Sequence, residues 1–346
     1  MRIGSAKEAY TQDEALFDSR TQRVWLGLLA LALVVFPFVA NQYWLYLACL
    51  VAINVASATG LNILTGYTGQ VSLGQAAFMG VGAYAVAVLE KQLGTPVLLN
   101  LAAAGGSAML VGLVVGIPSL RVKGLYLAIA TIAASFILHF VFANWTRVTG
   151  GTAGLSLPPA KIFGLILDTE FRLYWLIMPV TLLMLAGAAN LFRTRTGRAF
   201  VAIRDRDISA EVLGIPLLRY KLLSFGLSSF YAGVAGGMWA YFFRSVTPES
   251  FPLLMSIFFL AAIIVGGMGS ILGGILGAAF MTLVPEVMKL LVGWLPNANE
   301  AVVFLAPVRT IAFGALIVGF LIFEPHGLAE IWRRVRRFFH LWPFRT

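Results

Sequence analysis

Long apolar runs separated by short polar segments dominate the chain. They predict membrane-spanning helices at residues 24–40, 43–58, 76–89, 97–119, 125–143, 173–191, 222–243, 254–267, 271–292 and 301–323. A helix needs roughly 20 mostly apolar residues to cross the hydrocarbon core. The runs are continuous rather than alternating, which excludes a β-barrel. The pattern predicts an all-α, polytopic transmembrane helical bundle of about ten spans. The number is eight or nine if residues 43–89 hold a re-entrant piece. Residues 1–23 read as a polar N-terminal segment without a cleavage pattern, so the first run is expected to be retained.

Two polar interruptions stand out. Residues 193–221 carry seven Lys/Arg (Arg193, Arg195, Arg198, Arg204, Arg206, Arg219, Lys221) and only Asp205, Asp207 and Glu211 as acids. The pattern predicts a dense polar helix outside the bilayer, suited to docking another protein. The second interruption is 60–84, where Asn62, Thr65, Tyr67, Thr68, Gln70, Ser72 and Gln75 lie among glycines. A lipid-facing helix would not tolerate it. Broken backbone survives at membrane depth only where protein or a water-filled cavity satisfies its amides, and such breaks mark substrate pathways in transporters. A cytoplasmic loop with a tight helix start at Ser72 uses the same residues.

Composition agrees with the membrane reading. The chain is 60% hydrophobic and 12% charged, with a mean hydropathy of +0.88, whereas a soluble domain carries far more surface charge. The net charge of +10 then belongs to cytoplasmic loops and not to nucleic-acid binding. With residues 193–221 inside and the spans alternating, the inner side holds Arg2, Lys7, Arg20, Arg23, Arg121, Lys123, those seven, and Arg333, Arg334, Arg336, Arg337 and Arg345, eighteen in all. The outer side holds Lys91, Arg147, Lys161, Arg172 and Arg244. This asymmetry places both termini in the cytoplasm. The expected organisation is a cytoplasmic segment 1–23, a transmembrane domain 24–323 with the loop 193–221, and a basic cytoplasmic tail 324–346.

The remaining chemistry is sparse. Gly112/Gly116, Gly233/Gly237 and Gly269/Gly273/Gly277 are four apart, a spacing that lets helices approach closely within the chain or at a subunit interface. The outer loop 144–155 offers Thr149, Gly150, Gly151 and Thr152, as an ordinary turn or as a contact for an external partner. Glu286 and Lys289 share a helix face and read as a structural pair, with a proton relay as the alternative. Arg309 lies in the last predicted span, and His139 stands alone. Cys49, the only cysteine, excludes an intrachain disulfide. No His/Asp/Glu cluster has metal spacing. The phosphate-binding G-x-x-x-x-G-K-[ST] loop is missing, and so are nucleophile-elbow and zinc-protease motifs.

Three segments together resemble one family. Gly66-Tyr67-Thr68-Gly69-Gln70-Val71-Ser72-Leu73-Gly74-Gln75-Ala76-Ala77-Phe78 is similar to G-Y-x-G-x-x-S-L-G-x-A-A-F, residues 124–155 resemble the family's segment ending N-W-T-x-x-T-G-G, and Gly197-Arg198, Ala202-Ile203-Arg204 and Leu213-Gly214-Ile215 resemble a coupling segment. The family is that of permease subunits of branched-chain amino acid ABC importers, and the likeness runs from about residue 40 to 325. It departs from the pattern with Gln75 in place of a frequent His, Ala153 in place of a polar residue, and no acid at Ile208. The resemblance implies a translocation pathway at Gly66, Tyr67, Thr68, Gly69, Gln70, Ser72, Gly74 and Gln75. It implies an ATPase-coupling loop at Arg198, Arg204, Asp205, Arg206, Asp207, Ala210, Glu211 and Gly214, with the coupling helix at roughly 199–213. It further implies a multi-pass protein of the bacterial inner membrane that binds no cofactor or metal and is not itself an enzyme. Its partners would be a second homologous permease, two cytoplasmic ATPase subunits that bind ATP and Mg, an extracytoplasmic substrate-binding protein, and membrane lipid. Substrates would be branched-chain amino acids or related small polar solutes such as urea or amides. On the residues alone, an ion-coupled secondary transporter is the competing reading. It would need buried mid-membrane carboxylates. A scaffold subunit would leave the break at 60–84 without a use, and an intramembrane enzyme has no nucleophile–base pair.

Overall fold

A computed structural model describes residues 20–119, 124–162, 164–293 and 327–341, with isolated positions between 311 and 322. Most of the predicted span 301–323, including Arg309, lies outside the described residues, as do Arg2, Lys7, Arg121, Lys123 and Arg345.

Among the described residues, those up to Tyr46 form one compact unit and those from Leu47 another. The first contains α1 (Arg20–Val39) and the opening of α2 (Gln42–Leu61). In the second unit α2 continues into a π-helical turn, Asn62–Gly66. Then follow α3 (Gln75–Leu93), α4 (Val97–Ser119), α5 (Leu125–Asn144) and the single turn α6 (Thr146–Thr149). After α7 (Glu170–Arg193) come two short helices, α8 (Arg195–Asp205) and α9 (Asp207–Val212), and then α10 (Leu217–Phe243). The hairpin α11 (Leu253–Gly266) and α12 (Ile271–Gly293) precedes α13 (Leu328–Leu341).

The protein is an all-α, multi-pass membrane protein. Six helical stretches among the described residues are long and apolar enough to cross a membrane. In the most apolar 18-residue window of Gln42–Gly66, 83% of the residues are buried inside the protein, against 28–44% in those of the others, so α2 is the innermost of them. α10 packs along α3 and α4. Their contact rests on absent side chains: a Cβ at Gly236 would stand 1.9 Å from the Met79 carbonyl oxygen, and one at Gly233 2.3 Å from that of Ala104. Gly112 likewise faces Ser229, and Gly277 faces Ala262, so the glycines spaced by four are used within this chain.

A polar clamp that sequence reading missed ties the same three helices. Glu90 Oε2 accepts hydrogen bonds from Asn100 Nδ2 and Tyr241 Oη, each at 2.8 Å. Two small antiparallel pairings complete the structure. Leu155–Ser156 pairs with Ser245–Val246, and Ala160–Ile162 pairs with Leu165–Leu167.

Candidate functional site

The site begins where α2 stops being an α-helix. A π turn shifts the hydrogen-bond ladder and leaves carbonyls needing other partners. Each of the five finds one. Asn62 O accepts from the Tyr67 amide, Ile63 O from Thr68 Oγ1 at 2.8 Å, and Leu64 O and Thr65 O from the amides of Gln70 and Gly69 at 3.1 and 3.2 Å. The fifth, Gly66 O, accepts from the Arg204 guanidinium at 3.1 Å, across 138 residues of sequence.

The irregular backbone after the turn is satisfied in the same way. Thr65 Oγ1 donates to Gln70 O. The Leu73 amide donates to Thr131 Oγ1, and Ser135 Oγ donates to Leu73 O, both on α5. Gly74 N donates to Ser72 Oγ, and Ala76 N to Ser256 Oγ of α11. The Gln70 amide nitrogen donates to Ser224 Oγ at 2.8 Å. That of Gln75 donates to Ser57 O at 2.8 Å, while its oxygen accepts from Ser228 Oγ at 3.4 Å. Asn62 holds the α11–α12 turn from both ends of its amide: Oδ1 accepts from Gly269 N at 2.9 Å and Nδ2 donates to Ser270 O at 2.7 Å. Much of the segment's polar backbone is therefore satisfied by protein groups, while Gly69 is exposed. The Tyr67 ring stacks on Phe192 at the end of α7, with centroids 3.4 Å apart.

The segment 193–221 differs from the expected single helix. It folds as α8 and α9, broken at Arg206, whose backbone is extended (φ −156°, ψ 102°). Asp207 opens α9, where a negative charge suits the helix dipole, and reaches Lys221 Nζ at 3.6 Å. Asp205 pairs with Arg204 at 3.1 Å. Arg198, exposed, donates to Arg193 O. Ala210 is buried and Glu211 exposed. Gly214 has φ +83° and open space around it. Its amide bonds Glu211 O and that of Ile215 bonds Ala210 O, a left-handed cap that ends α9. Within the chain, Gly214 serves as this cap. An apolar patch went unnoticed among the charges: Ile208, Val212, Leu213 and Leu218 are 71, 83, 80 and 66% exposed. Its sequence signal was the three large apolar residues within 208–213, on a segment otherwise rich in charge.

The two interruptions meet. A cavity of about 580 Å³ is lined by Thr68, Gly69 and Gln70 on one side and by residues 203–209 with Lys221 on the other. Residues 149–152, in the loop expected on the outer side, do not line it. Thr149 is buried, its hydroxyl donating to Phe142 O at 2.7 Å and accepting from Gly151 N. Gly150 and Gly151 take positive φ, and Thr152 is exposed. This loop runs into the strand paired with Ser245–Val246, between α10 and α11. Glu286 and Lys289 form an ion pair at 2.6 Å. No group of three or more metal-ligating side chains occurs among the described residues.

Comparison with known proteins places this geometry. Residues 42–321 match the family model described as the permease component of branched-chain amino acid transport systems. The chain belongs to this family. The LivM permease protein of the high-affinity branched-chain amino acid transport system of Escherichia coli K12 is 31% identical over 336 residues, covering 90% of this chain and 76% of the relative. The corresponding LivM protein of Salmonella typhimurium LT2 is 30% identical over the same shares. The LsrC permease protein of an autoinducer 2 import system, from Enterobacter sp. strain 638, is 33% identical over 119 residues, about a third of each chain. No solved structure matches. The family match takes in both interruptions and the loop 144–155, so the chain is a transport component in which they lie within the shared permease region.

Proposed function

We propose that the chain is one of two permease subunits of an ATP-binding-cassette importer that carries branched-chain amino acids, or related small polar solutes, into the cytoplasm. In this reading residues 193–221 form the coupling loop on which two ATPase subunits act. ATP and Mg bind to those subunits, an extracytoplasmic protein delivers the substrate, and the site lies in a bacterial inner membrane. The chain has about ten spans and both termini in the cytoplasm, with 1–23 and 324–346 as cytoplasmic ends.

The Arg204–Gly66 hydrogen bond carries this reading. It joins α8 directly to the one carbonyl of the π turn that no local group satisfies. A push on α8 is thereby delivered to the backbone of the innermost helix and, through Asn62, to the α11–α12 turn. The exposed Ile208, Val212 and Leu213 support a docking surface, since such a patch at a protein's edge marks an interaction site. Residues 66–75 form the wall of the pathway in this account. The outer-loop residues 149–152 face the delivering protein.

The test is co-purification of the tagged chain in mild detergent from its native host, with mass spectrometry of what accompanies it. Two nucleotide-binding subunits and a second permease are expected. Recovery of the folded chain alone, repeated in lipid nanodiscs, together with uptake that resists vanadate and collapses with an uncoupler, would replace this reading with the ion-coupled one.

A further inference from the structure

The helix α13 reads LAEIWRRVRRFFHL. At 100° per residue, Leu328, Ile331, Trp332, Val335, Phe338 and Phe339 fall within a sector of about 120°, and Arg333, Arg336, Arg337 and His340 fall outside it. Its 14 residues reach only about 21 Å, short of the roughly 30 Å hydrocarbon core, and four arginines forbid burial across it. It is built neither to span nor to sit free in water.

Its first turn is anchored. Gly327 lies with its backbone against Gly266 and Gly267, Ala329 is buried, and Leu328 packs on Ala261, Ala262, Val265 and Met281. Burial then stops while the apolar stripe continues: Ile331, Trp332 and Val335 are 39, 55 and 43% exposed. The one acid, Glu330, is paired with Arg333 at 2.9 Å. The anchor point, Gly266–Gly267, adjoins Gly269 and Ser270, which Asn62 holds. α13 therefore starts at the end of the bundle where Arg204 reaches Gly66.

We propose that α13 lies along the inner bilayer surface, with Ile331, Trp332 and Val335 seated among acyl chains and its arginines on the phosphates of anionic phospholipid. The occupant follows from charge and shape together. The helix leaves a bundle already set in a membrane, presents an apolar stripe with an interfacial tryptophan, and flanks it with guanidinium groups that match phosphate. Bound this way, it holds the α11–α12 turn at the membrane surface and makes the Asn62–Gly269 contact sensitive to acidic lipid. The inner side named here rests on the topology proposed above; the lipid contact does not.

Because Cys49 is the only cysteine and is buried, Cys49→Ala gives a background for spin labels at Val335→Cys and, separately, Arg333→Cys in the full-length chain. In nanodiscs with phosphatidylglycerol, the label at 335 should favour oxygen over a nickel chelate, and the label at 333 the reverse. In pure phosphatidylcholine, or with Arg334, Arg336 and Arg337 changed to Gln, that preference at 335 should be lost. The lipid comparison uses one folded variant, so a misfolded triple variant does not blunt it. A label at 335 equally open to the nickel chelate in both lipids overturns the proposal. So does shielding that appears only when ATPase subunits are bound, which would mark a protein partner. The readout needs no ATP: the asymmetry in a chain that recruits no ATPase would leave this inference standing and remove the importer reading.

Discussion

At the scale of single residues, the amide of Asn62 makes two bonds that no apolar side chain can replace. Replacing it by Leu keeps the branching and heavy-atom count and strands both Gly269 N and Ser270 O, at about 1–3 kcal/mol for each unsatisfied group. Asn62→Leu should lower the thermal midpoint of the detergent-solubilised protein by several degrees, read by a thiol-independent melting assay. An unchanged midpoint would mean that water replaces the amide. Arg204 supports a sharper expectation. Arg204→Ala removes the donor from Gly66 O, and a charged hydrogen bond is worth about 1.5–3 kcal/mol, roughly a tenfold or greater effect. In reconstituted importer, transport per ATP hydrolysed should drop by about that factor while chain levels hold, with partial retention in Arg204→Lys. Equal coupling in Arg204→Ala would refute the link. The polar run 60–75 was legible in the sequence because its residues are incompatible with lipid. Which groups they pair with was not, since Arg204, Ser256 and Gly269 lie far along the chain. Glu90 escaped notice because beside Lys91 it looks like any loop end. Its partners Asn100 and Tyr241 come from two other helices.

At the scale of elements, charge density at 193–221 correctly marked a structured polar segment but hid its construction. Helical periodicity carries across Arg206, so sequence alone predicted one helix. The break is set by Arg206 in an extended conformation and by Asp207, which starts a new helix tied to Lys221. Gly214 ends that helix with φ +83°, a conformation costing other residues about 1–2 kcal/mol. Gly214→Trp should abolish transport and leave expression intact, because open space surrounds the position while the cap and the neighbouring apolar patch are both altered. Uptake at the normal rate would remove the coupling role of this segment. The glycine-rich crossings offer a paired test. A Cβ at Gly236 would meet backbone at 1.9 Å, whereas Gly106 has nothing within 4 Å. Gly236→Leu should eliminate folded protein in size-exclusion profiles and Gly106→Leu should not; similar profiles would show that α3 and α10 can separate.

At the scale of the whole molecule, counting apolar helices understates what packs together. α3 and α10 are absent from the six stretches that qualify on apolarity. Yet at 19 and 27 residues they extend about 28 and 40 Å. They carry Gln75, Glu90, Ser224, Ser228 and Tyr241 because other helices, and not lipid, surround those positions. Hydropathy registers only apolar sequence, so α3 and α10, whose polar side chains are met by other helices, escape it, while the equally enclosed but apolar α2 qualifies. The proposed ten-span topology counts both and puts residues 144–155 and 193–221 on opposite sides of the membrane, with a single span, α7, between them. That arrangement is testable without reference to any partner. In the Cys49→Ala background, a cysteine at the exposed Thr152 should react in intact cells with a membrane-impermeant maleimide. One at the exposed Arg198 should react only after the inner membrane is opened. Reaction of both in intact cells, or of neither, would mean that α7 does not cross and that the span count and the assignment of both termini must be redrawn. The expected asymmetry would fix the side on which Arg198 and the apolar patch meet their partner, the condition on which coupling through Arg204 depends.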